Sequence, residues 1–100
     1  MHYIYILESG LDSTYYVGYT DDFSRRLMEH NSSPHDTFSS KHRPWILKAV
    51  FEVVGSKGDA MRAERFIKRQ KSRKFIEAII SKDKVDLHIV QLVRVPKLRD

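Results

Sequence analysis

Five side chains in this sequence have the chemistry to act together on a phosphate. They are the phenols of Tyr5 and Tyr16, the guanidinium of Arg26, the imidazole of His30 and the carboxylate of Glu64. The phenols lie in two short runs, Tyr3-Ile4-Tyr5 and Tyr16-Val17-Gly18, and Glu64 sits within Ala60-Met61-Arg62-Ala63-Glu64-Arg65-Phe66-Ile67-Lys68. These are the parts needed to cut a phosphodiester with a single metal ion. A guanidinium offers phosphate two parallel charge-assisted hydrogen bonds. One carboxylate, with waters and phosphate oxygens, can hold Mg²⁺ or Mn²⁺. A phenol, with a pKa of roughly 10, is a poor base at neutral pH unless a cation close by favours its ionised form.

Each of these residues also has a plainer use. Arg26 and His30 are four apart and share a side of one helix, beside the inward pair Phe23 and Leu27, while Arg25 points away. They either line a cleft or form an ordinary amphipathic margin, with Arg26 snorkelling and His30 near the C-terminal dipole. Glu64 lies at the edge of an apolar stripe, where its partner is either a metal ion or Lys68 at i+4. Tyr3, Tyr5, Tyr15, Tyr16 and Tyr19 crowd two strands, where cross-strand packing is the default use of an aromatic ring. Residue types alone do not select one tyrosine as the base.

The elements that must position these groups can be read from periodicity. Tyr3 to Leu7 is a strand, Glu8 to Ser13 is turn chemistry, and Thr14 to Tyr19 is the hairpin partner. Thr20 or Asp21 caps a helix that runs to about His30, with Asp22 in its first turn. Asn31 to Lys41 lacks apolar periodicity and reads as a mobile surface loop. Trp45 to Val54 is a third strand, with Trp45 as a core anchor after Pro44. Ser56 or Asp59 caps a helix from about Asp59 to Gln70, with Ala60, Ala63, Phe66 and Ile67 inward. Ser72 opens another, with Phe75, Ile76, Ile79 and Ile80 at helical spacing. Leu87 to Val95 forms an added strand or a docking segment. The order β-β-α-β-α-α describes an α+β domain with a small antiparallel sheet of about three strands flanked by helices. Residues 1–82 form this domain and 83–100 a C-terminal tail.

The remaining composition narrows the class. One hundred residues make one small domain without room for a large enclosed cavity. No apolar run reaches the roughly 20 residues of a membrane span, and Met1-His2-Tyr3 leads into a strand pattern rather than a signal peptide. The absence of cysteine excludes disulfides and thiolate metal sites and fits a cytoplasmic setting. His2, His35, His42 and His88 are scattered, without the close spacing of a zinc site. The net charge of +5 favours polyanionic partners. It is clustered: Lys68, Arg69, Lys71, Arg73 and Lys74 fall within seven residues, and Lys41 and Arg43 form a second group. Both groups are candidates for nucleic-acid binding, against the plainer reading of a solvated helix face and turn.

The two tyrosine runs, the stretch from Gly18 through Arg26 to His30, and Glu64 followed by Ile67-Lys68 together resemble the GIY-YIG nuclease family. The likeness covers residues 3 to 80 and is nearest to the small stand-alone bacterial members, which also resemble the chain at Arg43-Pro44-Trp45 and Lys71-Ser72-Arg73-Lys74. Tyr3 stands where the family name has its first glycine, and Asn31 is the only asparagine, so the family's asparagine after the third helix has no counterpart. The resemblance implies a divalent-metal-dependent endonuclease acting on DNA, branched or damaged, in repair or recombination. A protein partner would supply targeting. In such an enzyme Glu64 holds one Mg²⁺ or Mn²⁺ ion, Arg26 neutralises phosphoryl charge, Tyr5 or Tyr16 activates water and His30 relays its proton. The alternative is a nucleic-acid-binding module of the same fold that cuts weakly or not at all.

Overall fold

The computed structural model describes residues 1–34 and 37–96; His35, named above, and the end of the 83–100 tail lie outside them. Strands β1 (Tyr3–Ser9) and β2 (Tyr15–Thr20) form an antiparallel hairpin that sets Tyr5 opposite Gly18 and Leu7 opposite Tyr16. Its turn is held by Ser9, whose hydroxyl accepts from the backbone N–H groups of Leu11 and Asp12 at 3.0 and 3.2 Å. Ser13 takes the left-handed backbone that closes it (φ 65°). Strand β3 (Trp45–Val54) pairs with the other side of β1, with a register shift between Ile6 and Leu7.

These three strands stand where the sequence places them, and the segment after Asp83 supplies two more. β4 (Lys84–Asp86) and β5 (Gln91–Arg94) form a second hairpin, and β5 pairs antiparallel with β3. The sheet order is therefore β2-β1-β3-β5-β4, with β2 at a free edge. Arg94 ties the hairpin to the helical layer by donating to the Ile80 carbonyl at 2.5 Å.

Each long helix starts at a residue built to cap it. Helix α1 (Phe23–Ser32) begins at Asp22, whose carboxylate accepts from the Arg25 N–H at 3.0 Å. Thr20, a capping candidate from sequence, instead accepts from the Asp22 N–H at 3.1 Å and turns the chain into the helix. Helix α3 (Lys57–Arg69) has a capping box between Ser56 and Asp59, and helix α4 (Arg73–Ile80) is capped by Ser72. The stretch read as a loop is partly helical. α1 runs through Ser32, and Thr37–Lys41 form a short helix, α2. Five residues are too few to show helical periodicity, and α2 is held by what it touches, the rings of Tyr16 and Trp45 and the side chain of His30.

Strand alternation divides the core into two layers. Ile4, Ile6, Val17, Phe51 and Val53 face the side covered by Ala60, Ala63 and Ile67 of α3 and Ile79 of α4. Tyr5, Leu7, Trp45 and Val50 face the other side, with Phe23 and Leu27 of α1. Helices α1 and α3 thus lie on opposite faces of the sheet, with α3 packed against β2 and α1 against β3. No helix among the described residues is long and apolar enough to cross a membrane.

Candidate active site at the free edge of the sheet

Tyr5 is 1% exposed, yet its phenol reaches the β2 edge because the residue beside it has no side chain. A Cβ added at Gly18 would fall 2.4 Å from both Cζ and the hydroxyl oxygen of Tyr5. Glycine is required here by close approach. The Tyr5 hydroxyl is 3.0 Å from Nε2 of His30, whose Nδ1 is 2.5 Å from Oγ of Ser39. In the neutral imidazole one nitrogen donates and the other accepts, so the hydroxyl protons of Tyr5 and Ser39 are set together. The chain continues, since the Ser39 carbonyl accepts from the Trp45 indole at 3.0 Å.

Burial pushes the Tyr5 phenol up to about 12, and neighbouring Tyr16 adds to the rise; the Arg26 guanidinium opposes it without cancelling it. Arg26 itself is pulled down by burial, but hydrogen bonds to Glu29 and Tyr5 outweigh this and leave it above its ordinary value. The Arg26–Glu29 pair is close, at 2.6 Å. His30 is buried behind Tyr5, with the Tyr16 ring 4.6 Å away between centroids.

Tyr5, Tyr16, Arg26 and Glu64 all line one cleft of about 480 Å³. Arg26 comes from one face of the sheet and Glu64 from the other, so the cleft wraps the edge strand. His30 supports it from behind. Sequence reading turned Arg25 away, took Asp21 only as a cap candidate and did not mark Glu29, yet all three also line the cleft, with Arg25 bonded to Asp21 at 3.1 Å. Glu64 is half-buried, with its carboxylate 3.7 Å from the Lys68 ammonium, the i+4 partner. Among the described residues no group of three or more His, Asp or Glu side chains is arranged to hold a metal ion. Glu64 is a hard oxygen donor suited to Mg²⁺ or Mn²⁺. A cation there would draw its other ligands from waters and a bound phosphate, and it would compete with Lys68.

The basic residues separate into two kinds. Lys68 and Lys71 line a second concavity beside Tyr16, and Lys41, Arg69 and Lys74 are exposed. Arg43 and Arg73 are committed to the fold. Arg43 donates to the carbonyls of His30 and Ser33 at 2.7 and 2.5 Å, closing the C-terminus of α1. Arg73 donates to the Ser13 carbonyl, lies 3.3 Å from each of Glu8 and Glu77, and covers the Tyr15 ring at 4.3 Å. Asn31 is likewise structural, accepting from the Trp45 N–H at 2.6 Å and donating to the Trp45 carbonyl at 3.1 Å. Sequence reading missed Ser39, the hydroxyl on which His30 rests. A serine pair inside a polar stretch carries no signal of burial.

Comparison with known proteins gives a family match. The GIY-YIG catalytic domain family matches residues 1–77. A UPF0213 protein of Halobacterium salinarum is 42% identical over 79 residues, covering 79% of this chain and 99% of its own. A UPF0213 protein of Streptococcus pyogenes serotype M5 is 39% identical over 71 residues, covering 71% of this chain and 75% of its own.

Proposed function

The chain belongs to the GIY-YIG family, and from that premise we propose that it is a nucleic-acid-binding domain that hydrolyses its ligand weakly or not at all. One observation carries this reading: Arg26, Glu64 and Tyr5 of the cleft already have protein partners. Arg26 is held by Glu29, Glu64 by Lys68, and Tyr5 by His30. A phenol raised to about 12 is protonated at neutral pH and is no base as it stands. Lys68 and Lys71, with the exposed Lys41, Arg69 and Lys74, supply positive charge for a phosphate backbone.

A second reading is favoured by the sharing of one cleft by Tyr5, Tyr16, Arg26 and Glu64. Here the domain is a divalent-metal-dependent DNA endonuclease of repair or recombination, working in the cytoplasm on branched or damaged DNA with a targeting partner. Glu64 would hold one Mg²⁺ or Mn²⁺, which would polarise the scissile phosphate. Arg26 would leave Glu29 to neutralise the phosphoryl oxygens, and Tyr5 would pass its proton towards His30.

Plasmid nicking and mobility-shift assays on wild type and Glu64→Gln, with Mg²⁺, Mn²⁺ or chelator, separate the readings. Salt-sensitive binding without metal-dependent nicking, retained in Glu64→Gln, is the expected result. Nicking by the wild type that Glu64→Gln abolishes would replace the proposal with the enzyme. Absence of binding to single-stranded, duplex and branched DNA or RNA would overturn both.

A further inference from the structure

Tyr16 is a wall between two concavities. One side is the cleft of Tyr5 and Glu64; the other is a pocket of about 380 Å³ whose lining includes Tyr16, Phe38, Ile67, Lys68, Lys71 and Ile76. The Phe38 ring stands 6.0 Å from that of Tyr16 at an interplanar angle of 40°, and Phe38 is 47% exposed. Such exposure of a large ring beside a second ring makes an open aromatic platform. Lys68 straddles the wall, with its ammonium 5.2 Å from the Tyr16 ring centre and 3.7 Å from the Glu64 carboxylate. Lys71 stands at the rim with φ 47°, a left-handed backbone that glycine adopts without cost and lysine does not.

We propose that this pocket receives one unstacked nucleobase of a strand whose adjoining phosphate lies in the neighbouring cleft. This rests on the nucleic-acid-binding reading and names its ligand class: a strand with an unpaired nucleotide, in a single strand, flap or bulge, rather than continuous duplex. The pocket lies at the small end of ligand-site volumes, sized for one planar ring and not for a helix. Inside a duplex the faces of a base are covered by its neighbours, so only a base free of the stack can present a face to Phe38 and Tyr16. Aromatic side chains bind single strands by such stacking, while basic groups follow the backbone. Here both occur together: rings form the walls, Lys68 and Lys71 form the rim, and the cleft of Arg26 and Glu64 is one side chain away.

The test is binding in chelator, where no metal-dependent cleavage occurs. It uses single-stranded oligonucleotides with 2-aminopurine stepped through the sequence, the matching duplexes, and wild type, Phe38→Ala and Lys71→Gly proteins. Thermal melts establish that each variant is folded; Phe38 is exposed, and glycine suits the backbone at position 71. The expected result is tighter binding of the single strand than of duplex, with 2-aminopurine fluorescence changed on binding. Phe38→Ala should lose that change and about fivefold or more in single-strand affinity, with duplex affinity shifted less than about twofold. Lys71→Gly should weaken single-strand binding and lower its salt dependence. Equal affinity for single strand and duplex, with 2-aminopurine silent at every position, would overturn the pocket assignment while leaving nucleic-acid binding intact. No binding of any nucleic acid would overturn the underlying function instead. A change in oligomeric mass for Phe38→Ala, with single-strand affinity unaltered, would reassign the pocket to a second copy of the chain.

Discussion

Gly18 lies directly across the hairpin from Tyr5, and the space a Cβ would occupy there is filled by the Tyr5 phenol. The glycine of the second tyrosine run therefore makes room for the tyrosine of the first. Gly18→Ala is expected to cost about 1–3 kcal/mol, as overpacking does in a tight core, and to push the phenol off His30. Urea denaturation gives the cost, and the His30 ring resonances in NMR report the lost contact. An alanine variant as stable as the wild type would mean that the ring can move aside freely.

The raised Tyr5 phenol makes stability depend on alkaline pH. Its folded value, about 12, exceeds the unfolded value of about 10, so the protonated form is favoured by folding. The contribution is fully present below pH ~10 and is lost as pH rises through about 12, on the order of 3 kcal/mol in all. The stability difference between wild type and Tyr5→Phe, measured in urea, should stay constant to about pH 9.5 and then shift steadily against the wild type. A difference that is flat to about pH 11.5 would show an ordinary phenol.

Asn31 fastens the end of α1 to the start of β3 through both backbone groups of Trp45. Removing its side chain leaves two partly buried backbone groups short of a partner. Asn31→Ala should destabilise by about 1–3 kcal/mol. Hydrogen exchange at Trp45 should speed up in step; unchanged protection there would place the effect elsewhere.

Helix α3 carries Glu64, so its N-terminal cap bears on the site. Ser56→Ala removes the cap hydroxyl and should cost about 1 kcal/mol by thermal or chemical melting. Gly55→Ala should cost more. Position 55 has φ 147°, and the added Cβ would press on the Asp59 carboxylate that completes the capping box. The ordering of the two losses is the check.

Lys68 lines the pocket and pairs with Glu64 of the cleft. Lys68→Ala should weaken nucleic-acid binding and reduce the slope of log K against log salt by about 1. The same measurement on Arg73→Ala should show little change in slope, since that guanidinium is occupied by Glu8, Glu77 and the Ser13 carbonyl. An equal loss of slope for both would mean that Arg73 exchanges its internal partners for phosphate.

Most of the framework was legible because it rests on local signals. The Trp45–Val54 strand and the Ser56 and Ser72 caps follow from alternation, turn residues and capping hydroxyls, and they stand as read. What escaped reading depends on contacts between distant segments. Helix α2 is too short for a period, and Ser39 is buried only because Trp45 and His30 arrive from elsewhere. Arg43 and Arg73, read from sequence as members of two basic clusters, are held by the His30, Ser33 and Ser13 carbonyls and the Glu8 carboxylate, all distant in sequence. The wheel placed Arg26 and His30 on one side of α1, but not that one would line the opening and the other the wall behind it.

The run of contacts from Tyr5 through His30 and Ser39 to Trp45 crosses β1, α1, α2 and β3 in a few bonds. It makes the residues that look most enzymatic part of the keystone of the fold. Natural selection for a folded chain is then enough to hold them in place, whether or not a strand is ever cut. A lineage that gave up hydrolysis would keep the appearance of the machinery, like a lock whose bolt has become a beam of the door. Within such a domain the presence of Tyr5 and His30 is a weak gauge of turnover. The groups free to drift once cutting stops are those with the least to hold up, and Glu64, leaning on a surface lysine, is the first place to look.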